Sequence, residues 1–248
     1  MDERRQVSGP AGASGGSIFS TPKMQVRGSG IDQSVDPQGF IADFLPLTPV
    51  PGLQHVKLHL ASPKSGLSRL TDAPPYWAHL WAGGLALACY LRDHPDVVAG
   101  RRVLDLGAGS GLVGIVAALA GARVIAAETD PLGRVAIGLN AAANGVMIEV
   151  LAQNVLGGDP PDVDLILAGD VFYDPGLVAR VLAFLDRAAL RGIRCLIGDP
   201  GRADLPLHRL DRVAAYQVRD FGQSALVCGT VYRWRAGPWN PPEGPQGL

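Results

Sequence analysis

From residue 101 onward the chain alternates short, continuous apolar runs with longer segments of helical periodicity. The apolar runs fall at residues 103–106, 124–127, 148–151, 165–167 and 193–197, and the helical segments at residues 112–120, 132–143 and 177–189. Pro131 and Pro175 stand where the first turn of a helix would begin, which suits the fixed φ of proline. Continuous apolar strands separated by helices are typical of a parallel sheet that is covered on both faces. The pattern therefore predicts an α/β fold with a buried parallel sheet.

This rhythm changes after residue 202, where two β-rich runs follow each other. Residues 214–221 and 225–234 are separated by three residues that begin with Gly222, which predicts an antiparallel hairpin. The hairpin and the five parallel strands give seven strands in all. Upstream, residues 53–60 predict a short strand and residues 77–91 a helix. We expect these two elements to cover the sheet rather than to form a separate domain.

Composition indicates one domain between two tails. Residues 1–30 and 236–248 are rich in Gly, Ser or Pro and poor in apolar groups, so we expect both to be disordered. Over the whole chain 47% of residues are apolar, which is enough for a hydrophobic core. We therefore expect a single domain over residues 31–235, with an N-terminal cover (31–100) and a cofactor-binding core (101–235).

Charge and residue spacing argue against several kinds of partner. Lys and Arg number 22 against 23 Asp and Glu, and this near-balance argues against a nucleic-acid binder. No apolar run approaches the ~18 residues of a membrane span, so no membrane partner is expected. The three cysteines, Cys89, Cys195 and Cys228, have no C-x-x-C spacing. His55 and His59 are four residues apart but lie in a predicted strand, and the other histidines have no partner spacing. We therefore expect no metal and three reduced thiols, as is usual for a cytoplasmic protein.

The strongest local signal is a glycine-rich turn after the first apolar run. Gly107, Gly109 and Gly111 stand in this turn, where the lack of side chains lets a ligand reach the amides of a helix N-terminus. Asp105 ends the preceding strand; it would repel the pyrophosphate of a dinucleotide but suits the cationic groups of S-adenosylmethionine. Glu128 ends the next strand, where an acid can accept hydrogen bonds from both ribose hydroxyls of either cofactor. The loop therefore favours S-adenosylmethionine over a dinucleotide.

A second set of functional residue types follows the fourth apolar run. Asp170 and Tyr173 lie just past this strand, at the edge where ligands bind in open α/β sheets. A carboxylate attracts an ammonium and an aromatic face guides its alkyl stem, so the pair suits an entering amine. The alternative is a helix N-cap with packing aromatics, for which Asp174 is a candidate. Asn154 follows the third strand and is placed to border an adenine, although Asn is also a common turn residue.

Seven short segments along the chain form a distinctive set. They are residues 57–61 (KLHLA), 76–84 (YWAHLWAGG), 86–88 (ALA), 90–91 (YL), 103–107 (VLDLG), 169–174 (GDVFYD) and 196–202 (LIGDPGR). Together they resemble the protein-lysine methyltransferases of family 16. The likeness spans roughly residues 40–234. All seven-strand methyltransferases share the glycine loop, whereas the tryptophan segment (76–84), the segment GDVFYD (169–174) and the segment LIGDPGR (196–202) together are far more specific. The resemblance implies a Rossmann-like, seven-strand class I methyltransferase sheet with helices on both faces and a C-terminal antiparallel hairpin.

The resemblance also implies roles for individual residues. The cofactor-binding positions that it implies are Trp81, Gly107, Gly109, Glu128 and Gly169. Trp81 matches a tryptophan that packs on the cofactor, and Asp170 with Tyr173 matches the pair tied to catalysis and lysine entry. The chain departs from the family at residues 151–152, where Leu and Ala stand in place of a frequent tryptophan against the adenine.

Residues and resemblance together predict a cytoplasmic protein-lysine N-methyltransferase that uses S-adenosylmethionine. The family members that it resembles act on the β subunit of electron transfer flavoprotein, which implies that protein as the acceptor. The alternatives are a methyltransferase of another protein, such as a ribosomal protein, or of a small molecule, a nucleotide-binding module without turnover, and a nicotinamide-dependent reductase. Asp105 argues against the reductase, and Asp170 with Tyr173 argues against the inert module.

Overall fold

Seven strands form one mixed sheet within residues 36–235, the part of the chain that the computed structural model describes, and two more form a separate small sheet. In chain order the strands are β1 (Leu47–Val50), β2 (Leu53–His59), β3 (Arg102–Leu106), β4 (Arg123–Ala127), β5 (Ile148–Leu151), β6 (Leu165–Gly169), β7 (Arg194–Asp199), β8 (Leu210–Val218) and β9 (Val227–Trp234). The helices are α1 (Pro37–Phe44), α2 (Ala82–Asp93), α3 (Leu112–Leu119), α4 (Pro131–Ala143) and α5 (Pro175–Leu190). The two predicted tails, residues 1–30 and 236–248, lie outside the described residues.

Strand order across the large sheet is β5-β4-β3-β6-β7-β9-β8. The first five of these pair in parallel, whereas β9 runs antiparallel to both β7 and β8. The predicted fold, a Rossmann-like sheet of seven strands with a C-terminal antiparallel hairpin, is confirmed. Because parallel strands end at one edge of a sheet, the segments that follow β3, β4 and β6 meet there.

Successive residues of the central strands point to opposite faces of the sheet and belong to two separate cores. Val103 and Leu165 pack with side chains of α2 and α3 on one face. Leu104 and Ile166 pack with Phe184 of α5 on the other face. All five side chains are buried. Helices therefore cover both faces of the sheet, as the continuous apolar runs predict.

The first turn of α2 lies directly on the sheet, at a distance that only glycines allow. A Cβ added to Gly198 of β7 would lie 2.0 Å from the Gly83 carbonyl oxygen, and one added to Gly83 would lie 2.2 Å from the Gly198 carbonyl oxygen. Gly169 at the end of β6 meets Gly84 in the same way, with 2.6 Å between its added Cβ and the Gly84 Cα. Backbone atoms make these contacts, so no side chain could move to make room. The approach fixes the start of α2 against the ends of β6 and β7.

The start of the predicted helix over residues 77–91 is wrong. Tyr76–Ala78 form a 3₁₀ turn, the chain is then extended through Trp81, and α2 begins only at Ala82. Trp81 is the N-cap residue but has no side-chain acceptor, and the Ala82 amide instead donates to Asp220 Oδ1 at 3.0 Å. This cap comes from a distant part of the chain, so local periodicity could not reveal where the helix begins.

The hairpin connection also differs from the sequence prediction, and the structure adds two short elements, β1 and α1. Residues 219–226 join the two hairpin strands, in place of the predicted three-residue turn. This longer connection carries Asp220 to α2 and places the Phe221 ring 3.7 Å from the His79 ring, measured between centroids. The strand predicted at 53–60 is β2, which pairs with β1. The sequence analysis predicts neither β1 nor α1.

We expect Gly198→Ala to lower the free energy of unfolding by at least about 2 kcal/mol, because overpacking costs ~1–3 kcal/mol and the obstacle here is backbone. Gly138→Ala is the matched control, since nothing lies within 4 Å of a Cβ added at this position in α4. The control should gain about 0.5–1 kcal/mol from the better helix propensity of alanine. Urea denaturation measures both changes, and equal stabilities of the two variants would contradict the packing role of Gly198.

Candidate active site

A cavity of about 500 Å³ opens at the edge of the sheet where β3, β4 and β6 end. This volume is in the range of small-molecule sites. Most of the predicted site residues line it, namely Trp81, Gly107, Gly109, Glu128, Asn154, Gly169, Asp170 and Tyr173. Two do not belong to its wall: Asp105 lines a smaller recess beside it, and Gly111 is the N-cap of α3.

The glycine loop turns between β3 and α3 with backbone angles that side chains with a Cβ rarely adopt. Gly107, Gly109 and Gly111 have φ values of 67°, 54° and 80°. A Cβ at Gly111 would also lie 3.3 Å from Ile137 of α4. The predicted glycines are therefore required by the turn itself, and the loop presents bare backbone to the cavity at Gly107 and Gly109.

Two backbone hydrogen bonds hold the carboxylate of Glu128, which follows β4. Its Oε2 accepts from the Gly109 amide and its Oε1 accepts from the Asp130 amide, each at 2.8 Å. A Cβ added to Gly133 would lie 2.9 Å from Glu128 Cγ, so α4 backs the side chain closely. Each carboxylate oxygen can accept a second hydrogen bond. The arrangement therefore suits two neighbouring hydroxyls of a ligand in the cavity.

Asp105 lies under the glycine loop with only 1% of its surface exposed. Its Oδ2 accepts from the Gly114 amide of α3 at 2.8 Å. Burial and the charge of Glu128 raise the pKa of Asp105 to about 7, against the opposing effect of the Gly114 hydrogen bond. The recess that Asp105 lines measures about 50 Å³ and shares Trp81 and Gly107 with the main cavity. Asp105 thus ties the loop to α3 and borders the space beside the cavity.

Asp170, the residue after β6, is the only non-glycine residue with a positive φ within residues 36–235, at 55°. Its Oδ2 accepts from the Gly84 amide of α2 at 2.7 Å, and its Oδ1 accepts from Nη2 of Arg202 at 2.6 Å. Burial raises the pKa of Asp170, although the Arg202 guanidinium and the Gly84 hydrogen bond both act to lower it. Both oxygens thus have protein partners, and the carboxylate joins the start of α2 to an arginine in the cavity wall.

Sequence reasoning assigns no role to Arg202, which lines the cavity. Its Nε lies 3.9 Å from Asp199 Oδ2, and its Cζ lies 5.8 Å from the centroid of the Trp81 ring. Asp199 is fully buried, and its Oδ1 accepts from the Gly201 and Arg202 amides at 2.7 and 2.8 Å. The signal in the sequence is the segment GDPGR, which does not reveal that Arg202 reaches Asp170, 32 residues away.

Aromatic rings line the cavity beside Asp170. Tyr173 and Tyr76 lie 5.8 Å apart between ring centroids, and each exposes 54% of its surface. Trp81 lies 5.9 Å from the Tyr76 ring and donates its Nε1–H to the Tyr76 carbonyl oxygen at 2.8 Å. Burial raises the pKa of Tyr173, so its hydroxyl stays protonated at neutral pH. Tyr76, Trp81 and Tyr173 thus form an aromatic rim of the cavity. Sequence reasoning assigns no role to Tyr76.

Asn154 lines the cavity but also has a local structural partner. Its Oδ1 accepts from the Leu156 amide at 3.1 Å and begins a 3₁₀ turn. The side chain is exposed at the cavity wall. Both predicted roles of Asn154, as a neighbour of the adenine and as a turn residue, therefore fit its position. The contact with adenine stays a prediction.

Cysteines and metal-binding residue types form no site in the described part of the chain. Cys89 and Cys195 are buried, Cys228 is exposed, and all three are free thiols. Across residues 36–235, no three His, Cys, Asp or Glu side chains are grouped to hold a metal ion. In the same region, no helix has both the length and the apolar character to cross a bilayer.

Comparisons with known proteins point to lysine methyltransferases. The sequence profile of the family described as lysine methyltransferase matches residues 76–199, which is half of the chain. A protein of Danio rerio named electron transfer flavoprotein beta subunit lysine methyltransferase is 39% identical, over 66% of this chain and 67% of its own length. The Homo sapiens protein of that name is 39% identical, over 64% of each chain. The rat and mouse proteins of the same name are matched over 58% of their length.

A solved structure shares the fold. It is that of a candidate RNA methyltransferase from Pyrococcus horikoshii, with a TM-score of 0.50 and 18% sequence identity, and the match covers 66% of this chain and 90% of that one. At this level of identity the likeness concerns the fold alone.

Asp105 should make stability depend on pH. Its pKa is about 7 in the folded protein against an ordinary 3.8, so between these values the folded state binds more protons than the unfolded chain. The contribution of Asp105 to the free energy of unfolding therefore falls as the pH rises through this window.

We expect Asp105→Asn to remove this decline, because its amide oxygen can still accept from the Gly114 amide. Relative to the wild type, the free energy of unfolding of the variant should rise by about 1 kcal/mol per pH unit between about pH 5 and 7. Urea titrations at several pH values measure the difference. A constant difference across this range would show that Asp105 titrates at its ordinary pKa.

Proposed function

The chain belongs to the lysine methyltransferase family, and we propose that it methylates lysine side chains of the electron transfer flavoprotein β subunit, with S-adenosylmethionine as the methyl donor. Vertebrate relatives named for that activity are 36–42% identical to it. The observation that carries the proposal is the position of the match. Residues 76–199 include every residue of the cavity wall except Arg202.

The charge of the cavity wall supports S-adenosylmethionine rather than a dinucleotide. Glu128, Asp130 and Asp170 give the wall three acidic residues. Among the described residues, Arg202 is the one basic residue in this wall, and it already pairs with Asp170. An acidic wall attracts sulfonium and ammonium groups and repels a pyrophosphate. This charge argues against the nicotinamide-dependent reductase.

We propose that the predicted cofactor-binding residues hold S-adenosylmethionine in this cavity. They are Trp81, Asp105, Gly107, Gly109, Gly111, Glu128, Asn154 and Gly169. Glu128 would accept from the ribose hydroxyls, Asn154 would border the adenine, and Asp105 and Gly111 would shape the loop from outside the cavity wall. When bound, the cofactor supplies a methyl group on a positively charged sulfur. A nucleophile can attack this methyl carbon, with the sulfur as the leaving group.

We assign Asp170 and Tyr173 to the acceptor side of the site. Tyr173 and Tyr76 present exposed aromatic faces along which the alkyl stem of a lysine can lie. Asp170 fixes the start of α2 and with it the rim that carries Tyr76 and Trp81. Methyl transfer depends mainly on alignment of the amine with the methyl carbon, which a rigid rim supplies. Because the tyrosine rim is exposed, a lysine on the surface of another protein can reach it.

We further propose that residues 31–235 form a single methyltransferase domain. The contact of α2 with Gly169 and Gly198 supports this, since it packs the predicted cover against the predicted core. The cytoplasmic location that the sequence predicts stays a prediction, and the three free cysteines are consistent with it.

Incubation of the purified chain with purified electron transfer flavoprotein and S-adenosylmethionine tests the acceptor. Intact mass spectrometry should show the β subunit gaining mass in steps of one methyl group, with no gain when S-adenosylhomocysteine is present in excess. Labelling of other proteins in a cell extract, with the flavoprotein unlabelled, would establish a different acceptor. No labelling of any protein by a chain that binds S-adenosylhomocysteine would establish a module without turnover.

We expect Glu128→Gln to weaken the binding of S-adenosylhomocysteine by about 1.5–3 kcal/mol, the usual range for hydrogen bonds to a charged acceptor. Glu149→Gln is the control, because Glu149 is exposed on β5 and lies outside the cavity wall. Isothermal titration calorimetry measures both affinities. If Glu128→Gln binds as tightly as the wild type, the ribose acceptor is another residue, and Asp130 is the next candidate.

A further inference from the structure

The positively charged guanidinium of Arg202 lies against the Asp170 carboxylate, which would otherwise be open to an incoming lysine. Its Nη2 donates to Asp170 Oδ1 at 2.6 Å, and the two side chains are only 23% and 8% exposed. The Gly84 amide donates to the other oxygen of Asp170 at 2.7 Å. The carboxylate is therefore hydrogen-bonded at both oxygens, and the charges of Asp170 and Arg202 cancel.

From this arrangement we propose that Arg202 withholds the Asp170 carboxylate from the acceptor lysine, so that the site takes up the neutral amine instead of trapping the ammonium. The proposal rests on the lysine methylation proposed above. An unpaired carboxylate at this point would form an ion pair with the ammonium and retain the proton that must leave before the nitrogen can react.

The chemical step shows why the proton matters. The nitrogen lone pair forms the new bond to the methyl carbon while the carbon–sulfur bond breaks and its electron pair stays on sulfur. An ammonium has no lone pair to give, so its proton must pass to solvent first. Arg202 is a positioning residue in this scheme, since it acts through Asp170 and through its charge and not by contact with the reacting atoms.

Other charged and titratable groups lie in the cavity wall and in the segments next to it, and they set the background charge against which Arg202 acts. They are Asp199 at the end of β7, Glu128 and Asp130 after β4, Tyr173 and Asp174 after β6, Tyr76 and His79 before α2, and Asp220 in the hairpin connection. Burial lowers the pKa of His79, which therefore adds no positive charge at neutral pH. Arg202 is thus the one cation in the described cavity wall that offsets these carboxylates.

Removal of this cation makes the site more negative by one charge as long as Asp170 stays ionised, which the hydrogen bond from the Gly84 amide favours. A more negative site stabilises the ammonium form and raises the pKa of the bound amine. The pH at which methyl transfer becomes fast should therefore rise when Arg202 loses its charge, and it should fall when Asp170 loses its charge.

Single-turnover methylation of purified electron transfer flavoprotein, measured from pH 6.5 to 10, tests this expectation. The acidic limb of the rate profile is the pH range in which the rate rises as the amine loses its proton. In Arg202→Gln this limb should shift to higher pH by about one unit or more, with rates near those of the wild type at pH values above the limb. In Arg202→Lys, which keeps the charge, the limb should not move. A rate of Arg202→Gln that is lowered equally at every pH would overturn the proposal, because a purely structural defect has that effect.

Asp170→Asn provides a second variant with the opposite sign. Its amide oxygen can still accept from the Gly84 amide, but the Arg202 charge is no longer compensated, so the limb should move to lower pH. This variant decides the matter if Arg202→Gln does not fold: a limb that stays in place or moves up overturns the proposal.

Arg209→Gln is the matched control for the loss of a largely buried ion pair. Arg209 pairs with Asp186 outside the cavity wall, so its loss should reduce stability without moving the limb. A wild-type enzyme that binds S-adenosylhomocysteine but leaves the flavoprotein unmethylated would overturn the proposed function and this inference together. An active wild type whose Arg202 and Asp170 variants keep the same limb would overturn the role of Arg202 alone.

Discussion

The close contact between the first turn of α2 and the ends of β6 and β7 determines the shape of the cavity. Backbone meets backbone at Gly83 and Gly198 and at Gly84 and Gly169, so the position of the turn leaves no freedom for adjustment. Such an approach would leave the first amides of α2 without acceptors, which is costly at a buried helix end. Asp170 provides one of the missing acceptors, and the same carboxylate forms part of the cavity wall. The contacts that pack α2 on the sheet therefore also form part of the cavity wall.

Four neighbouring parallel strands each have, at or next to their carboxyl end, a carboxylate that accepts from a backbone amide. These carboxylates belong to Asp105, Glu128, Asp170 and Asp199. Burial raises the pKa values of Asp105, Asp170 and Asp199, and a neighbouring acid adds to this effect at Asp105 and at Asp199. Amides of the glycine loop and of the first turns of helices α2 and α3 offset part of the cost because they carry partial positive charge. The result is a fixed negative region at the edge of the sheet where the cavity opens.

The sequence predicts the parts of this site that depend on neighbours in the chain. A strand, glycines and a helix follow one another at Gly107–Gly111, and Glu128 comes directly after the next strand, so order along the chain is enough to find them. Contacts between residues that are far apart in the sequence cannot be predicted in this way. Arg202 meets Asp170 across 32 residues, and Asp220 meets Ala82 across 138. The start of α2, the length of the hairpin connection and the role of Arg202 all depend on such contacts.

The hydrogen bond from Ala82 to Asp220 also imposes an order in time on the assembly of the site. During translation, Ala82 is added to the chain 138 residues before Asp220, the residue whose carboxylate caps this turn. At a synthesis rate of ~5–20 residues per second, the acceptor carboxylate is made on the order of ten seconds after the turn. The glycines of β6 and β7 also emerge well after α2, so the nascent turn has no surface to dock on. A chain released before the hairpin is synthesised therefore lacks the cap on α2, and this part of the cavity wall forms only after Asp220 has been made.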